Sequence, residues 1–277
     1  MNRAPKLGIL AGGGTAPSQI IQACQASGRP FFVFCLKGYA DPELGTGHDH
    51  AVVALGEIRK VKDLCAREKI EEMVMIGGVR RPSIAEIKPD WLAVKLLTKI
   101  GLGSLGDDAL LQNVGRVIEQ ECGVRMVGAG EVMKELLSPQ GVLTQKAPDD
   151  QAKADIGKGI EVAKALGACD IGQAVVVQQG LVLAVEAIEG TQALIDRAGT
   201  LKREGGGGVL VKCAKPQQDD RFDLPSIGVQ TIEQVHQAGF SGIAVQAGRS
   251  LLIDKEAMLA LADKLGLFVV GVAEDQA

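Results

Sequence analysis

Three short apolar runs, each ending within two residues of a glycine, constrain this chain most. Leu7-Gly8-Ile9-Leu10-Ala11 runs into Gly12-Gly13-Gly14, Phe31 to Leu36 is followed by Lys37-Gly38, and Met73-Val74-Met75-Ile76 ends on Gly77-Gly78. Each reads as a short buried strand. Between the first two, Pro17 stands where a helix can begin, and Ile20, Ile21 and Cys24 have the spacing of its buried face. Val52 to Leu55 reads as a further short strand and Ile58 to Glu68 as a helix. Strands alternating with helices of this length require right-handed crossovers and hence a parallel sheet.

Sheets of that kind bind ligands beyond the carboxyl ends of their strands, where Gly12, Gly13, Gly14, Gly77 and Gly78 all fall. A glycine run before a helix suits a phosphate, because no Cβ blocks its approach and helix N-terminal amides point at the anion. The dinucleotide fingerprint does not hold. The spacing is G-x-G-x-x-P, and Lys37-Gly38 stands where an acidic ribose ligand belongs. No Walker lysine follows the glycines either. The expected fold is Rossmann-like, with weak support for a nucleotide-dependent oxidoreductase.

From Arg80 to Gly123 the sequence reads as mostly helical, punctuated by Pro82 and Pro89. Gly101, Gly103 and Gly106 break it before Asp107-Asp108. One acid, Asp107, is placed to cap a helix from near Ala109, which leaves Asp108 to face a ligand. Val124 to Ala129 reads as a strand and Glu131 to Leu137 as a short helix. Residues 138–150, SPQGVLTQKAPDD, combine two prolines and a glycine with few large apolar residues, and form the linker candidate. The expectation is therefore an N-terminal Rossmann-like parallel-sheet domain over 1–137, a linker over 138–150, and a smaller α+β domain over 151–277.

In that second domain a helix is expected over Gln151 to Gly167. Asp170-Ile171-Gly172-Gln173 then opens a hairpin, with strands Ala174–Val177 and Leu181–Ile188. Thr191 is expected to cap the helix through Arg197. Glu186 lies within an apolar strand, where a buried carboxylate is costly without a partner, so it is edge-exposed or functional. Helices over Thr231–Ala238 and Lys255–Leu265 and strands at Gly242–Val245, Ser250–Ile253 and Leu267–Val272 complete the chain.

The loop KPQQDDRFDLPSIG, Lys215 to Gly228, stands apart. Asp219, Asp220 and Asp223 arrive within five positions, and Leu224-Pro225 fixes the shape of the segment. Clustered carboxylates can hold a divalent cation such as Mg²⁺, while Lys215 and Arg221 can meet phosphate oxygens. A solvated acidic turn is the plain alternative. The net charge of −4 and an aromatic content of 3% exclude the basic footprint and stacking platform of a nucleic-acid binder. Six scattered cysteines without a CxxC pair point to a reducing compartment, and no apolar stretch is long enough to span a membrane, so a cytoplasmic protein is expected. His48 and His50 form an HxH pair with no third ligand nearby, which reads as a solvated loop, and His236 reads as a surface residue on a helix.

Taken together and in order, LGILAGGG, GDDALL, DIGQAVVV, LVLAVEAIEGT, KPQQDDRFDLPSIG and LGLFVVGV resemble the UDP-2,3-diacylglucosamine pyrophosphatases of the I type, over essentially the whole chain. The resemblance implies hydrolysis of UDP-2,3-diacylglucosamine to 2,3-diacylglucosamine 1-phosphate (lipid X) and UMP in lipid A biosynthesis, dependent on a divalent cation. It implies two domains holding the lipid nucleotide between them, at the cytoplasmic face of a Gram-negative inner membrane. The family's essential aspartate corresponds to Asp223. The candidate site accordingly has Asp223 as catalytic residue and Asp219, Asp220 and Asp223 as metal ligands. Its substrate contacts are Gly12, Gly13, Gly14, Gly77, Gly78, Asp108, Gln173, Glu186, Thr191 and Lys215. Peripheral membrane contact and a homodimer are compatible with this reading, and a non-catalytic nucleotide-sugar or lipid carrier is the alternative from another class.

Overall fold

The computed structural model describes residues 3–80, 90 and 107–273, except for the side chains of 107–109. The helix expected over much of 80–106 lies outside the described residues. The chain divides into two units, Met1–Lys134 with Asp219–Asp223, and Glu135–Gln218 with Leu224–Ala277.

In the first unit, β1 (Leu7–Ala11), α1 (Ala16–Ser27), β2 (Phe31–Leu36), β3 (His50–Val53), α2 (Ile58–Glu68) and β4 (Glu72–Ile76) follow in order. Helix α3 (Asp107–Cys122), β5 (Arg125–Met126), the single turn α4 (Ala129–Val132) and a 3₁₀ turn (Lys134–Leu136) complete the series. The strands pair in parallel in the order β3-β2-β1-β4-β5. Ile20, Ile21 and Cys24 are the buried face of α1. Phe32, Phe34, Leu36, Met73 and Met126 form one core with Val61, Leu64 and Cys65 of α2 and Ile118 of α3. Strand β3 begins two residues before the apolar run that suggested it. It is an edge strand with Val52 exposed, so its position is set by pairing to β2 rather than by burial. Strand β5 is likewise shorter than its apolar run, which passes into α4 by Ala129.

The second unit carries β6 (Gly141–Val142), α5 (Asp150–Ala168), β7 (Ala174–Gln178), β8 (Leu181–Val185), α6 (Gly190–Thr200), β9 (Val209–Lys212), β10 (Ser226–Ile227), α7 (Val229–Gln237), β11 (Gly242–Gln246), β12 (Leu251–Leu252), α8 (Lys255–Lys264) and β13 (Phe268–Val272). Its main sheet has the order β6-β13-β11-β9-β7-β8. Strands β9, β11 and β13 are parallel, and the hairpin β7–β8 and edge strand β6 are antiparallel to their neighbours. The sheet is thus mixed, with the hairpin laid against a parallel core. Strand alternation divides its side chains between two layers. Val175, Val177, Val209 and Val211 pack with Ile156, Ile160 and Ala163 of α5, while Val176, Leu210, Ile243 and Val245 pack with Leu194, Ile232, Val235 and Met258 of α6 to α8. Within 138–150, β6 pairs with β13, and the Gln145 amide donates to Asp263 at 2.7 Å.

Candidate functional site

The order of the first sheet reverses at β1 and β4, because the chain moves outward through β2 and β3 before crossing back to β4. The crevice at such a switch point is where open α/β sheets bind ligands. Gly12 to Gly14 leave β1 there, and Gly77 and Gly78 leave β4. The two turns are hydrogen-bonded to each other: Gly13 N–H donates to Gly78 O and Gly78 N–H to Gly13 O, both at 2.9 Å, while Gly12 N–H donates to Ile76 O at 2.8 Å. A Cβ at Gly12 would stand 2.8 Å from the carbonyl oxygens of both Gly77 and Gly78, so close approach of the two backbones itself requires glycine. The amides of Gly12 and Gly13 are thereby already engaged.

The acidic loop is anchored within the first unit. Phe222 is buried in the core between the sheet and α2–α3, and its ring lies over α3 where Gly115 offers no side chain. Arg221 grips Asp219 through Nε and Nη2, at 3.0 and 2.8 Å, and reaches Glu119 of α3 at 3.3 Å. The Arg221 guanidinium holds the Asp219 carboxyl below the ordinary carboxylate range. Asp219 is thus committed to fixing the loop. Asp220 is exposed and Asp223 half-buried. Among the described residues no three His, Cys, Asp or Glu side chains gather as a metal cluster. A cation at this loop would therefore be held by Asp223 or Asp220 together with ligand oxygens, the arrangement Mg²⁺ commonly adopts at phosphates. Asp107 and Asp108 open α3, and their side chains lie outside the described ones.

In the second unit the carboxyl ends of β9, β11 and β13 share an edge with the start of β7 and the end of β8. Glu186 lies just past β8, 6% exposed. Its Oε2 accepts from the backbone N–H of Gln173 at 3.0 Å and its Oε1 from the Thr191 hydroxyl at 2.6 Å. Glu186 is buried and partnered, which removes the edge-exposed alternative. Strand β8 stops at Val185, three residues earlier than expected, and the Glu186 carboxylate beyond it bonds Gln173 and Thr191. Thr191 is not a helix cap: α6 starts at Gly190 with Glu189 at the N-cap, and its hydroxyl is spent on Glu186. The same hydroxyl accepts from Nζ of Lys212 at 3.0 Å, and Lys212 also donates to Ser226 O at 3.0 Å. Lys215 is buried and paired with Asp170.

Sequence reasoning passed over Lys212, a lysine at the end of an otherwise wholly apolar strand and 7% exposed; that mismatch was the available signal. Phe222 was passed over too, although one large apolar residue within an Asp-rich loop signals an anchor. His50 Nδ1 lies 2.9 Å from the carbonyl oxygen of His48, within the same turn. His236 is exposed on α7.

A parallel-sheet unit with glycine turns at its switch point, and a mixed-sheet unit whose strand ends carry buried lysines and a buried glutamate, define a two-unit α/β protein. The family model described as the LpxI N-terminal domain matches residues 6–136, and that of the LpxI C-terminal domain matches residues 139–270. The chain is 43% identical over 274 residues to UDP-2,3-diacylglucosamine pyrophosphatase LpxI of Caulobacter vibrioides, spanning 96% of this chain and 97% of that protein. The chain belongs to the LpxI family. Among solved structures it is similar to a glycinamide-RNase-transformylase T from Mycobacterium tuberculosis, at 13% identity and a TM-score of 0.25 over 66% of this chain and 44% of that one. It is also similar to the biotin carboxylase subunit of pyruvate carboxylase, at 15% identity and a TM-score of 0.27 over 85% of this chain and 41% of that one. The chain spans less than half of either structure, and likeness at this level carries no argument.

Proposed function

We propose that this chain hydrolyses the diphosphate of UDP-2,3-diacylglucosamine to UMP and 2,3-diacylglucosamine 1-phosphate, with Asp223 as the catalytic carboxylate and a divalent cation such as Mg²⁺ as cofactor. The observation that carries the reading is the 43% identity, over nearly the full length of both chains, to an enzyme named for that substrate. The loop geometry supports it. Phe222 and the Arg221–Asp219 pair fix the segment on either side of Asp220, so Asp223 is presented on a held loop rather than a solvated one.

A diphosphate repels an approaching hydroxide, and a bound cation would supply the neutralising charge. Asp223 accepts the proton of the attacking water or orients that water, and with Asp220 it is the residue that would hold the cation. Lys212 places a positive charge at the end of β9 in the second unit, where it can meet a phosphate oxygen. No helix among the described residues is long and apolar enough to cross a membrane. Turnover of UDP-2,3-diacylglucosamine, followed as UMP release, tests the proposal. EDTA should abolish it and excess Mg²⁺ restore it. No release by the untreated protein would overturn the reading, and release indifferent to EDTA would remove the cation from it.

A further inference from the structure

The six cysteines are not alike. Cys24, Cys35 and Cys213 are buried, and burial pushes each of these thiols up, which leaves them inert. Cys169 is exposed. Cys65 and Cys122 differ because their side chains meet: Cys65 S–H donates to the sulfur of Cys122 across the seam between α2 and α3. Cys65, 2% exposed, belongs to the core beneath the two helices, and half-buried Cys122 ends α3 and packs on that core. Beside them Lys62 of α2 and Glu121 of α3 form an ion pair at 3.0 Å, which holds the same two helix segments together.

The hydrogen bond from Cys65 holds Cys122 below the ordinary thiol range, and the Lys62 ammonium adds to the effect. The same bond, together with burial, pushes Cys65 up. A partly accessible sulfur with thiolate character, touching a protonated thiol, is the arrangement of an oxidisable pair. Its position on α3 gives it a reach. Glu119, one turn before Cys122, accepts from Arg221 at 3.3 Å, and Gly115, one turn further back, is packed against the Phe222 ring. A disulfide sets its sulfurs closer than two thiols in contact, so closing the bond draws the last turns of α3 toward α2 and moves both seats of the acidic loop.

We propose that Cys122 and Cys65 are a reversible oxidation site, at which a peroxide creates a disulfide that ties α3 to α2 and slows turnover. The effect on turnover rests on the function proposed above, whereas the disulfide itself does not. The Cys122 thiolate attacks one oxygen of hydrogen peroxide, breaking the O–O bond, releasing hydroxide and leaving a sulfenic acid. The Cys65 sulfur then displaces the hydroxyl from Cys122: the S–S bond forms, the S–O bond breaks, and the Cys65 proton leaves with that hydroxyl as water. The two sulfurs lose two electrons and the peroxide gains them. Reduction by a dithiol such as dithiothreitol reverses the step.

The test uses the full-length protein carrying Cys169→Ser, so that the exposed thiol does not report. After hydrogen peroxide, alkylation under denaturing conditions should label two fewer cysteines, and peptide mass mapping should find Cys65 joined to Cys122. Dithiothreitol should restore both labels. Turnover of UDP-2,3-diacylglucosamine should fall at least several-fold on oxidation and recover on reduction. Cys122→Ala should form no disulfide and keep its turnover in peroxide. Cys65→Ala should stop at the sulfenic acid, trapped by dimedone at Cys122. Full labelling after peroxide, or a linkage between other cysteines, would overturn the proposal. A Cys65–Cys122 linkage that leaves turnover unchanged would overturn its coupling to the acidic loop. A protein that forms the linkage but releases no UMP even when reduced would uphold the oxidation site and remove the proposed function.

Discussion

Gly115→Ala tests whether the position of the acidic loop matters to catalysis. In α3 a Cβ at residue 115 would lie 2.8 Å from Cζ of Phe222, with two further ring carbons closer still. Ordinary carbon–carbon contact is about 3.5–4.0 Å, so the ring must retreat by about 1.5 Å to clear its closest carbon. Phe222 is covalently joined to Asp223, and the displacement passes directly to the carboxylate. Overpacking costs about 1–3 kcal/mol, offset by the gain of about 1 kcal/mol from replacing glycine within a helix. The net loss of up to about 2 kcal/mol corresponds to a Tm decrease of no more than roughly 8 °C. Turnover is more sensitive, since misplacing a catalytic group by that much costs up to about 100-fold. UMP release and thermal unfolding, measured on the same preparation, should therefore show kcat down at least about tenfold with a modest fall in Tm. Adding Phe222→Leu, which removes the clashing ring, should restore part of the lost turnover. Turnover that stays normal while Tm falls would refute the reasoning, and no change in either would show that the ring does not pack there.

Thr191→Val keeps the volume but takes a donor from Glu186 and an acceptor from Lys212; it should lower stability by about 1–3 kcal/mol in denaturant titration. Unchanged stability would place both charges in contact with water. The Asp219–Arg221 pair predicts a pH dependence. Asp219 has a folded-state pKa below its unfolded value, so its contribution is complete above pH about 4 and is lost as pH falls through the folded value. The Tm difference between wild type and Asp219→Asn should accordingly be constant from neutral pH down to about 4 and shrink below it. A difference that persists undiminished in stronger acid would contradict the pairing.

Much of the fold is legible in the sequence because it rests on local signals. The runs at Leu7, Phe31 and Met73 are buried on both faces of a parallel sheet, and α1 and α2 show their buried residues by spacing alone. What the sequence does not disclose depends on contacts between distant residues. Strand β3 is fixed by its pairing with β2, since exposed edge positions need no apolar pattern. Glycines 12, 77 and 78 read as a phosphate cradle, whereas in the structure they first allow two turns to bond to each other. Three aspartates in five positions look equivalent until Arg221 takes one of them. The buried network of Glu186, Thr191 and Lys212 joins residues from three elements, and only the odd polar residue at the end of an apolar strand announces it.

The central claim is that Asp223 is the carboxylate of a phosphoanhydride hydrolase, and Asp223→Ala tests it most directly. Removal of the cation's carboxylate or the catalytic base should lower kcat for UDP-2,3-diacylglucosamine by on the order of 100-fold or more. Tm should stay within a few degrees of wild type, because Phe222 and Arg221 still anchor the loop, and 2,3-diacylglucosamine 1-phosphate should bind as before. A folded Asp223→Ala protein that releases UMP at a near-normal rate would contradict the account and move the chemistry to Asp220 or Glu186.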